Sequence, residues 1–176
     1  MSGYKIKFNG IDKLYDAYWW RLTRRAKQAW NSGVHVKGPY LRKLEIKIAS
    51  KYQRKFAVGV GSATDGLFLA LKAVGLSDKS TIACPVYSYI ATSGAIKRLG
   101  SKIKFIDVDK QGNIGSIDSK IQVDAVLYAN LFGNVADYTR LRKYCDKNNI
   151  PLIEDAAQSQ GAWHHGVQSG KLGSIS

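Results

Sequence analysis

Apolar side chains recur at spacings of three and four residues through the first part of the chain and predict two helices. The first runs from Ile11 to Trp30, and Asn31-Ser32-Gly33 ends it. The second runs from about Pro39 to Tyr52, because the missing N–H of a proline is tolerated in a first helical turn. Trp19 and Trp30 fall on or near the apolar side of the first helix, so we expect both to pack in the core.

After residue 55 the pattern changes to short apolar runs that alternate with helical segments. The predicted strands are Phe56–Val60, Thr81–Cys84, Ile103–Val108, Ala125–Ala129 and Pro151–Ile153. The predicted helices are Thr64–Val74, Ser88–Leu99 and Ala136–Asn148. This alternation predicts an α/β fold, a three-layer α/β/α arrangement with a mostly parallel sheet. Ligands of such folds collect at the carboxyl ends of the strands, so the loops that follow the strands are the candidate sites.

Length and composition fit one globular domain, since the chain has 176 residues of which 45% are hydrophobic. No apolar run is long enough for a membrane span, and no secretory signal is present, so we expect a cytoplasmic protein. Cys84 and Cys145 have no metal-binding spacing and are interpreted as free thiols in a reducing compartment. The net charge of +14 fits a soluble basic surface, a diphosphate-bearing substrate or nucleic acid.

The loop Gly61–Gly66 follows the first predicted strand and opens a helix. Such a turn presents free backbone N–H groups and the positive end of the helix dipole, which together favour phosphate. The hydroxyls of Ser62 and Thr64 can add hydrogen bonds. The same residues also read as a capping box, Ser62-x-x-Asp65, which needs no ligand. Both interpretations stay open on the residues alone.

Two further loops carry candidate chemistry. Asp155 stands where a buried strand reaches the ligand edge, so its carboxylate can hold a cationic nitrogen or cap the following turn. Tyr89, after the second predicted strand, can lie against a planar ring or pack on the next helix. Neither the Asp107–Ile114 segment nor the pair His164-His165 provides a metal-ligand set, so we predict no metal site.

Taken in order, these segments resemble the DegT/DnrJ/EryC1/StrS family of sugar aminotransferases, which depend on pyridoxal 5′-phosphate (PLP). The resemblance runs from about Lys37 to the C-terminus. It is carried by GPYLRKLEIKIASKYQRKFAVGVGSATDGLFLAL, CPVYSYIATSGAIKRLGSKIKFIDVD and NLFGNVADYTRLRKYCDKNNIPLIEDAAQSQGA. The Ser-Ala-Thr-Asp loop and the Glu-Asp-Ala-Ala-Gln segment at this separation are jointly specific for the family.

The resemblance implies the large domain of a fold-type-I PLP-dependent transferase, in incomplete form. Residues 1–36 would be an N-terminal helical segment, residues 37–176 a partial PLP-binding large domain, and the C-terminal small domain would be absent. It also implies a homodimer with the active site at the subunit interface. The implied cofactor contacts are to the phosphate from Ser62, Ala63 and Thr64, to the ring face from Tyr89, to the pyridine nitrogen from Asp155 and to the phenolic oxygen from Gln158.

The reaction implied by the family moves an amino group, usually from glutamate, onto a nucleotide-linked keto sugar. The family's Schiff-base lysine follows the glycine-rich stretch matched by Gly170–Ser174, and Lys171 stands at the wrong place for that role. Because the sequence stops at Ser176, we expect that this polypeptide alone does not transaminate. We also expect that an uncovered sheet edge makes it either poorly soluble or dependent on a partner chain.

Three other functions remain open from the sequence. The first is a non-transaminating relative such as a PLP-dependent sugar dehydratase, in which another residue replaces the lysine. The second is a non-catalytic subunit that pairs with an intact homologue. The third is a basic nucleic-acid-binding domain, supported by the net charge and by Trp19, Trp20 and Trp30, although no nucleic-acid-binding motif accompanies them.

Overall fold

A computed structural model describes residues 10–176, and it divides the chain into two compact units at Lys47 and Ile48. The first unit contains helix α1, Ile11–Asn31, and the first part of helix α2, Pro39–Lys51. Both helices confirm the pattern-based prediction to within one residue at each end. The domain boundary predicted between residues 36 and 37 stays a prediction.

The first helix differs from expectation in its burial. No residue of α1 is buried, and Trp19 is 50% and Trp30 76% exposed, so the expected core packing of these tryptophans is wrong. The apolar stripe is present, but no described element of this unit covers it. Although α1 has 21 residues, no helix within residues 10–176 combines the length and apolar character that crossing a lipid bilayer requires.

The second unit is built on a four-stranded parallel sheet, which confirms the predicted α/β class. Its strands are β1, Thr81–Pro85; β2, Lys102–Ile106; β3, Ala125–Ala129; and β4, Leu152–Asp155. They lie in the order β2-β1-β3-β4, and every pairing is parallel. All five residues of β3 are buried, as the uninterrupted apolar run predicts for a central strand covered on both faces.

Helices cover both faces of this sheet and make it a three-layer structure. Helices α3, Ala63–Ala73, and α4, Ile90–Arg98, pack on one face in a core that includes Leu127 and Ile153. Helix α5, Tyr138–Asn148, packs on the other face in a core that includes Val126 and Leu152. Successive strand residues therefore enter opposite cores, as the two-residue period of a strand requires.

The predicted strand Phe56–Val60 is wrong, since the structure has no strand there. Phe56 is 74% and Val58 77% exposed, and none of the described strands pairs with this segment. An apolar run becomes a strand only where a neighbour takes up its backbone hydrogen bonds. The helix that follows this segment is present, and it begins at Ala63, one residue before the predicted start at Thr64.

A small hairpin was missed by the sequence analysis. Strands β5, Trp163–His164, and β6, Val167–Gln168, are antiparallel and are joined by His165 and Gly166. Both joining residues have positive φ, 46° and 77°, as the tight turn of a two-residue hairpin requires. The His-Gly pair was the available signal.

Candidate functional site

A cavity of about 130 Å³ lies at the carboxyl ends of β3 and β4 and at the beginnings of α3 and α4. The structure brings five of the six predicted site residues to this cavity: Ala63, Thr64, Tyr89, Asp155 and Gln158. The sixth, Ser62, is the neighbouring N-cap of α3 and does not line the cavity. Groups almost a hundred positions apart in the chain thus share one hollow, because parallel strands end at the same edge of the sheet.

The N-terminus of α3 forms one wall of the cavity. Ser62 Oγ accepts a hydrogen bond from the Asp65 backbone N–H at 3.2 Å and donates one to the Asp65 carboxylate at 3.0 Å. The capping interaction considered from the sequence is therefore present. The backbone N–H groups of Ala63 and Thr64 belong to the first turn, where a helix provides no intrahelical acceptor. They are the donors that the helix leaves for an anion.

A cation stands beside this helix end. Arg98 Nη1 lies 2.7 Å from Asp65 Oδ1, and its guanidinium also lies 4.2 Å from the centre of the Phe68 ring. The hydrogen bonds from Arg98 and then from Ser62 lower the pKa of the exposed Asp65 carboxyl. Arg98 therefore offsets the negative charge that Asp65 would otherwise place close to an incoming phosphate.

Asp155 is the last residue of β4 and lines the same cavity. Its Oδ1 accepts a hydrogen bond from the Ala157 backbone N–H at 3.1 Å. Burial raises the pKa of this carboxyl, the charge of neighbouring Glu154 raises it further, and the Ala157 bond opposes both. A carboxylate whose charged form is disfavoured in this way gains stability from a cationic group placed next to it.

Gln158 and Tyr89 complete the side-chain set. The Gln158 Oε1 atom accepts a hydrogen bond from the Phe132 backbone N–H at 3.1 Å. Because a backbone N–H can only donate, this contact fixes the amide orientation and leaves the Gln158 NH₂ group as a donor. Tyr89 is 64% exposed at the start of α4, so its ring is accessible to a planar ligand.

Asn130 also lines the cavity and was missed from the sequence. It is buried, its Nδ2 donates to Glu154 at 3.0 Å, and its Oδ1 accepts from the Ala136 backbone N–H at 3.0 Å. The signal was its position directly after strand β3, where the same strand-end rule that selected Asp155 applies. Lys171 is not among the residues that line the cavity, and none of those residues is a lysine.

The segments considered for metal binding have other contacts. The Oδ1 atom of Asp109 accepts hydrogen bonds from the backbone N–H groups of Gln111 and Asn113 and so closes a turn. The ring of His164 packs edge-on against Tyr138, with 6.0 Å between the ring centres. Across residues 10–176, no group of three or more His, Cys, Asp or Glu side chains could hold a metal ion.

Comparison with known proteins gives consistent relatives. At the level of sequence families, the DegT/DnrJ/EryC1/StrS aminotransferase family matches residues 21–176. The GDP-perosamine synthase of Escherichia coli O157:H7 is 31% identical over 165 residues, covering 88% of this chain and 45% of that protein. The dTDP-3-amino-3,4,6-trideoxy-alpha-D-glucose transaminase of Streptomyces venezuelae is 29% identical, covering 97% of this chain and 46% of that protein. The chain thus spans less than half the length of these relatives.

Solved structures share the fold. The DesV protein of S. venezuelae superposes with a TM-score of 0.84 at 26% identity, covering 90% of this chain and 44% of that one. The GDP-4-keto-6-deoxy-D-mannose-3-dehydratase of E. coli, solved with bound hydrated PLP, gives a TM-score of 0.77 at 26% identity, covering 84% and 41%. With the family match over most of its length and this shared fold-type-I architecture, the chain belongs to the DegT/DnrJ/EryC1/StrS aminotransferase family.

Proposed function

We propose that the chain forms the cofactor-binding part of a PLP-dependent aminotransferase that acts on nucleotide-linked keto sugars. The observation that carries this proposal is the cavity at the carboxyl ends of β3 and β4, which gathers donors and a carboxylate suited to the three polar ends of PLP. When bound, PLP supplies an electron sink that stabilises negative charge on the reacting carbon of an amine substrate.

The phosphate of PLP fits the beginning of α3. The N–H groups of Ala63 and Thr64 and the positive helix end favour a dianion, and Arg98 offsets the charge of Asp65 nearby. In this arrangement Ser62 acts on the phosphate site through the helix that it caps, since its hydroxyl is already bonded to Asp65.

The ring of PLP fits the remaining polar groups. The Asp155 carboxylate would accept a hydrogen bond from the protonated pyridine nitrogen and keep the proton on that nitrogen, and the positive charge would offset the unfavourable burial of the carboxylate. The free NH₂ group of Gln158 would donate to the phenolic oxygen. The accessible Tyr89 side chain would cover one face of the ring and keep water from it.

The substrate class comes from the relatives and from charge. Curated relatives are named for GDP-, dTDP- and UDP-linked sugars, and a structural relative is described with a PLP-glutamate adduct. We therefore infer a nucleotide-sugar substrate, with glutamate as amino donor, and the net charge of +14 suits a diphosphate. We further infer a homodimer or a pairing with an intact homologue, and a cytoplasmic location that suits the free thiols Cys84 and Cys145.

A PLP titration of the purified chain tests the cofactor part of this proposal. Tryptophan fluorescence should show saturable binding, and pyridoxal without its phosphate should bind at least about tenfold more weakly. Asp155→Ala should weaken PLP binding, whereas Asp118→Ala, which changes an exposed turn carboxylate, serves as the matched control. Equal binding of PLP and pyridoxal would refute the phosphate assignment, and the absence of saturable binding would refute the proposal.

A sugar dehydratase is the second candidate, because one structural relative is a GDP-4-keto-6-deoxy-D-mannose-3-dehydratase. Both candidates take up the same cofactor, so the product decides between them. The chain should be incubated with PLP, glutamate and a GDP-, dTDP- or UDP-linked keto sugar, both alone and with an intact homologue. Mass spectrometry should show an amino sugar for a transaminase, and a deoxy sugar that has lost a hydroxyl for a dehydratase.

A further inference from the structure

Glu154, the neighbour of Asp155 in β4, is a buried acid that the proposed function does not use. It is 1% exposed, and within residues 10–176 its carboxylate accepts six hydrogen bonds. Three reach Oε1 and three reach Oε2, at distances of 2.8 to 3.2 Å, and the donors are Asn130 Nδ2, Ser169 Oγ, Gly170 N, Leu172 N, Gly173 N and Ser176 Oγ. A buried carboxylate is tolerated only when donors replace its water, and here the 169–176 segment provides five of them.

Arg54 binds the same segment through the segment's carbonyl oxygens and one of its hydroxyl groups. Its guanidinium donates to the carbonyl oxygens of Gly170 and Gly173, both at 2.9 Å, and to Ser176 Oγ at 2.6 Å. Gly170 and Gly173 therefore each bind Glu154 through N–H and Arg54 through C=O. Burial lowers the pKa of Arg54, and attraction to Glu154 opposes this. Glu154 and Arg54 thus hold the backbone of residues 169–176 between two opposite charges, and we call this arrangement the clamp.

The glycines of this stretch are required by the clamp. A Cβ on Gly173 would overlap the Ile175 carbonyl oxygen and would lie 2.9 Å from the Glu154 backbone nitrogen. A Cβ on Gly170 would lie 2.7 Å from the Tyr52 ring, and its φ of +94° is itself unfavourable for other residues. The absence of a side chain lets Gly173 approach β4 and lets Gly170 pass the Tyr52 ring, and both contacts are needed for the observed hydrogen bonds.

The clamp also reaches the wall of the cavity. Asn130 donates to Glu154 and to Ser169 Oγ, the latter at 3.1 Å, and its backbone N–H donates to the Asp155 carbonyl oxygen at 3.0 Å. The Asn130 side chain therefore has its position set from behind the cavity by Glu154. Asp155 directly follows Glu154 in β4, so the hydrogen bonds of Glu154 also fix the backbone position of Asp155.

We infer that Glu154, together with Arg54, is a positioning residue that ties the 169–176 segment to Asn130 and Asp155 and so sets the shape of the proposed cofactor cavity. This inference rests on the proposed function, but its structural half does not need PLP. Glu154 does not line the cavity, so it acts through Asn130 and the strand. Substitution of Glu154 by Gln keeps the shape of the side chain but replaces one acceptor oxygen by an NH₂ group. That group cannot accept the hydrogen bonds of the donors that face it.

The test compares Glu154→Gln with Asp124→Asn, which removes a carboxylate that accepts from the Thr81 N–H at the amino-terminal ends of β1 and β3. Two quantities are measured at the same interval below each melting temperature: amide hydrogen exchange at Gly170, Leu172 and Gly173, and PLP affinity. In Glu154→Gln we expect exchange at least about tenfold faster and PLP binding at least about tenfold weaker. In Asp124→Asn we expect both to be unchanged.

Each outcome decides one part of the inference. Unchanged exchange in Glu154→Gln would refute the clamp, and faster exchange with unchanged PLP affinity would refute its link to the cavity. An equal loss of affinity in Asp124→Asn would reduce the effect to general stability and so refute positioning. If Glu154→Gln does not fold, Arg54→Lys replaces it, since lysine keeps the charge but lacks the fork. Failure of the unmodified chain to bind PLP would refute the proposed function, and hydrogen exchange would still decide the clamp.

Discussion

Asp155 carries a charge that its own surroundings disfavour. It lines the cavity, burial raises the pKa of its carboxyl, and the negative charge of Glu154 next to it acts in the same direction. At neutral pH the ionised carboxylate therefore reduces the stability of the PLP-free protein, because the unfolded chain solvates this carboxylate better. Such a conflict is common where a side chain is kept for binding a ligand of opposite charge.

We predict that Asp155→Asn raises the melting temperature of the PLP-free protein at pH 7. Asparagine keeps an oxygen for the Ala157 N–H and removes the partly buried charge. A raised pKa means that the unfavourable contribution exists only above the ordinary pKa of aspartate. The gain should therefore vanish at a pH low enough to protonate the carboxyl in both folded and unfolded states. Thermal melts of both proteins across pH check this, and a lower melting temperature at pH 7 would contradict it.

The same substitution should have the opposite effect on cofactor binding. Without the carboxylate, the protonated pyridine nitrogen of PLP loses its partner, so we expect affinity at pH 7 to fall at least about tenfold, or about 1.4 kcal/mol. In the unmodified protein, PLP affinity should also fall as the pH drops through the raised pKa of Asp155. Fluorescence titrations of the two proteins over the same pH series measure both effects.

At the scale of elements, the N-terminus of α3 forms the proposed phosphate site, and the residues just before and after that end determine its geometry. Its N-cap hydroxyl, on Ser62, has both of its hydrogen-bonding roles filled by Asp65. Cap and phosphate ligand are therefore competing uses of one oxygen. Substitutions that separate helix stability from the hydroxyl itself can distinguish them, because glycine is nearly as good an N-cap as serine and alanine is not.

We predict that Ser62→Ala lowers the free energy of unfolding by about 1 kcal/mol and that Ser62→Gly lowers it by only a few tenths. If Ser62 serves the site through the helix, Ser62→Gly should keep most of the PLP affinity although it lacks the hydroxyl. Urea melts and PLP titrations of the two variants provide the measurement. A large and equal loss of affinity in both variants would show instead that the hydroxyl contacts the phosphate.

Two glycines that differ in the space around their Cβ positions give a contrasting pair of substitutions. Gly173→Ala forces a Cβ against the Ile175 carbonyl and the Glu154 backbone, so we expect a loss of at least about 1–3 kcal/mol. Gly94 lies inside α4 with no atom near its Cβ position, and Gly94→Ala should stabilise the protein by about 0.5–1 kcal/mol. Chemical denaturation of both variants checks the contrast. A tolerated Gly173→Ala would contradict the close approach to β4.

The elements show which parts of the fold were predictable. Strand β3 was located from its uninterrupted apolar run and helix α5 from its helical period, because each pattern is strong and each element is packed on the expected faces. The run Phe56–Val60 has a strand composition, but a strand also needs a pairing partner, which a local pattern does not contain. The hydrogen bonds of Glu154 could not be predicted either, because their donors lie 15 to 24 positions away and half of them are backbone N–H groups.

The site shows the same division. The strand-end rule and the family resemblance selected Thr64, Tyr89, Asp155 and Gln158, all of which line the cavity. Neither could show that the Ser62 hydroxyl is occupied, or that Gln158 is oriented by the Phe132 backbone, because both facts depend on loop geometry. The sequence therefore predicts which residues meet, and the structure is needed to say which of their atoms remain available.

At the scale of the whole molecule, the question is whether the two cores on either side of the sheet unfold together. Cys84 belongs to the core under α3 and α4, and Cys145 to the core under α5. Both are free and buried, and burial raises the pKa of Cys84 to about 11 and that of Cys145 to about 12. Since the thiolate is the reactive form, neither thiol should react in the folded state near neutral pH.

We therefore predict that a thiol reagent labels neither cysteine in the native protein and that urea exposes both with the same midpoint. Strand residues alternate between the two cores, so opening one face removes the support of the other. Cys84→Ala and Cys145→Ala leave one reporter each, and mass spectrometry follows labelling against urea concentration. Separate midpoints would show that the layers under α3 and α4 and under α5 are independent units of stability.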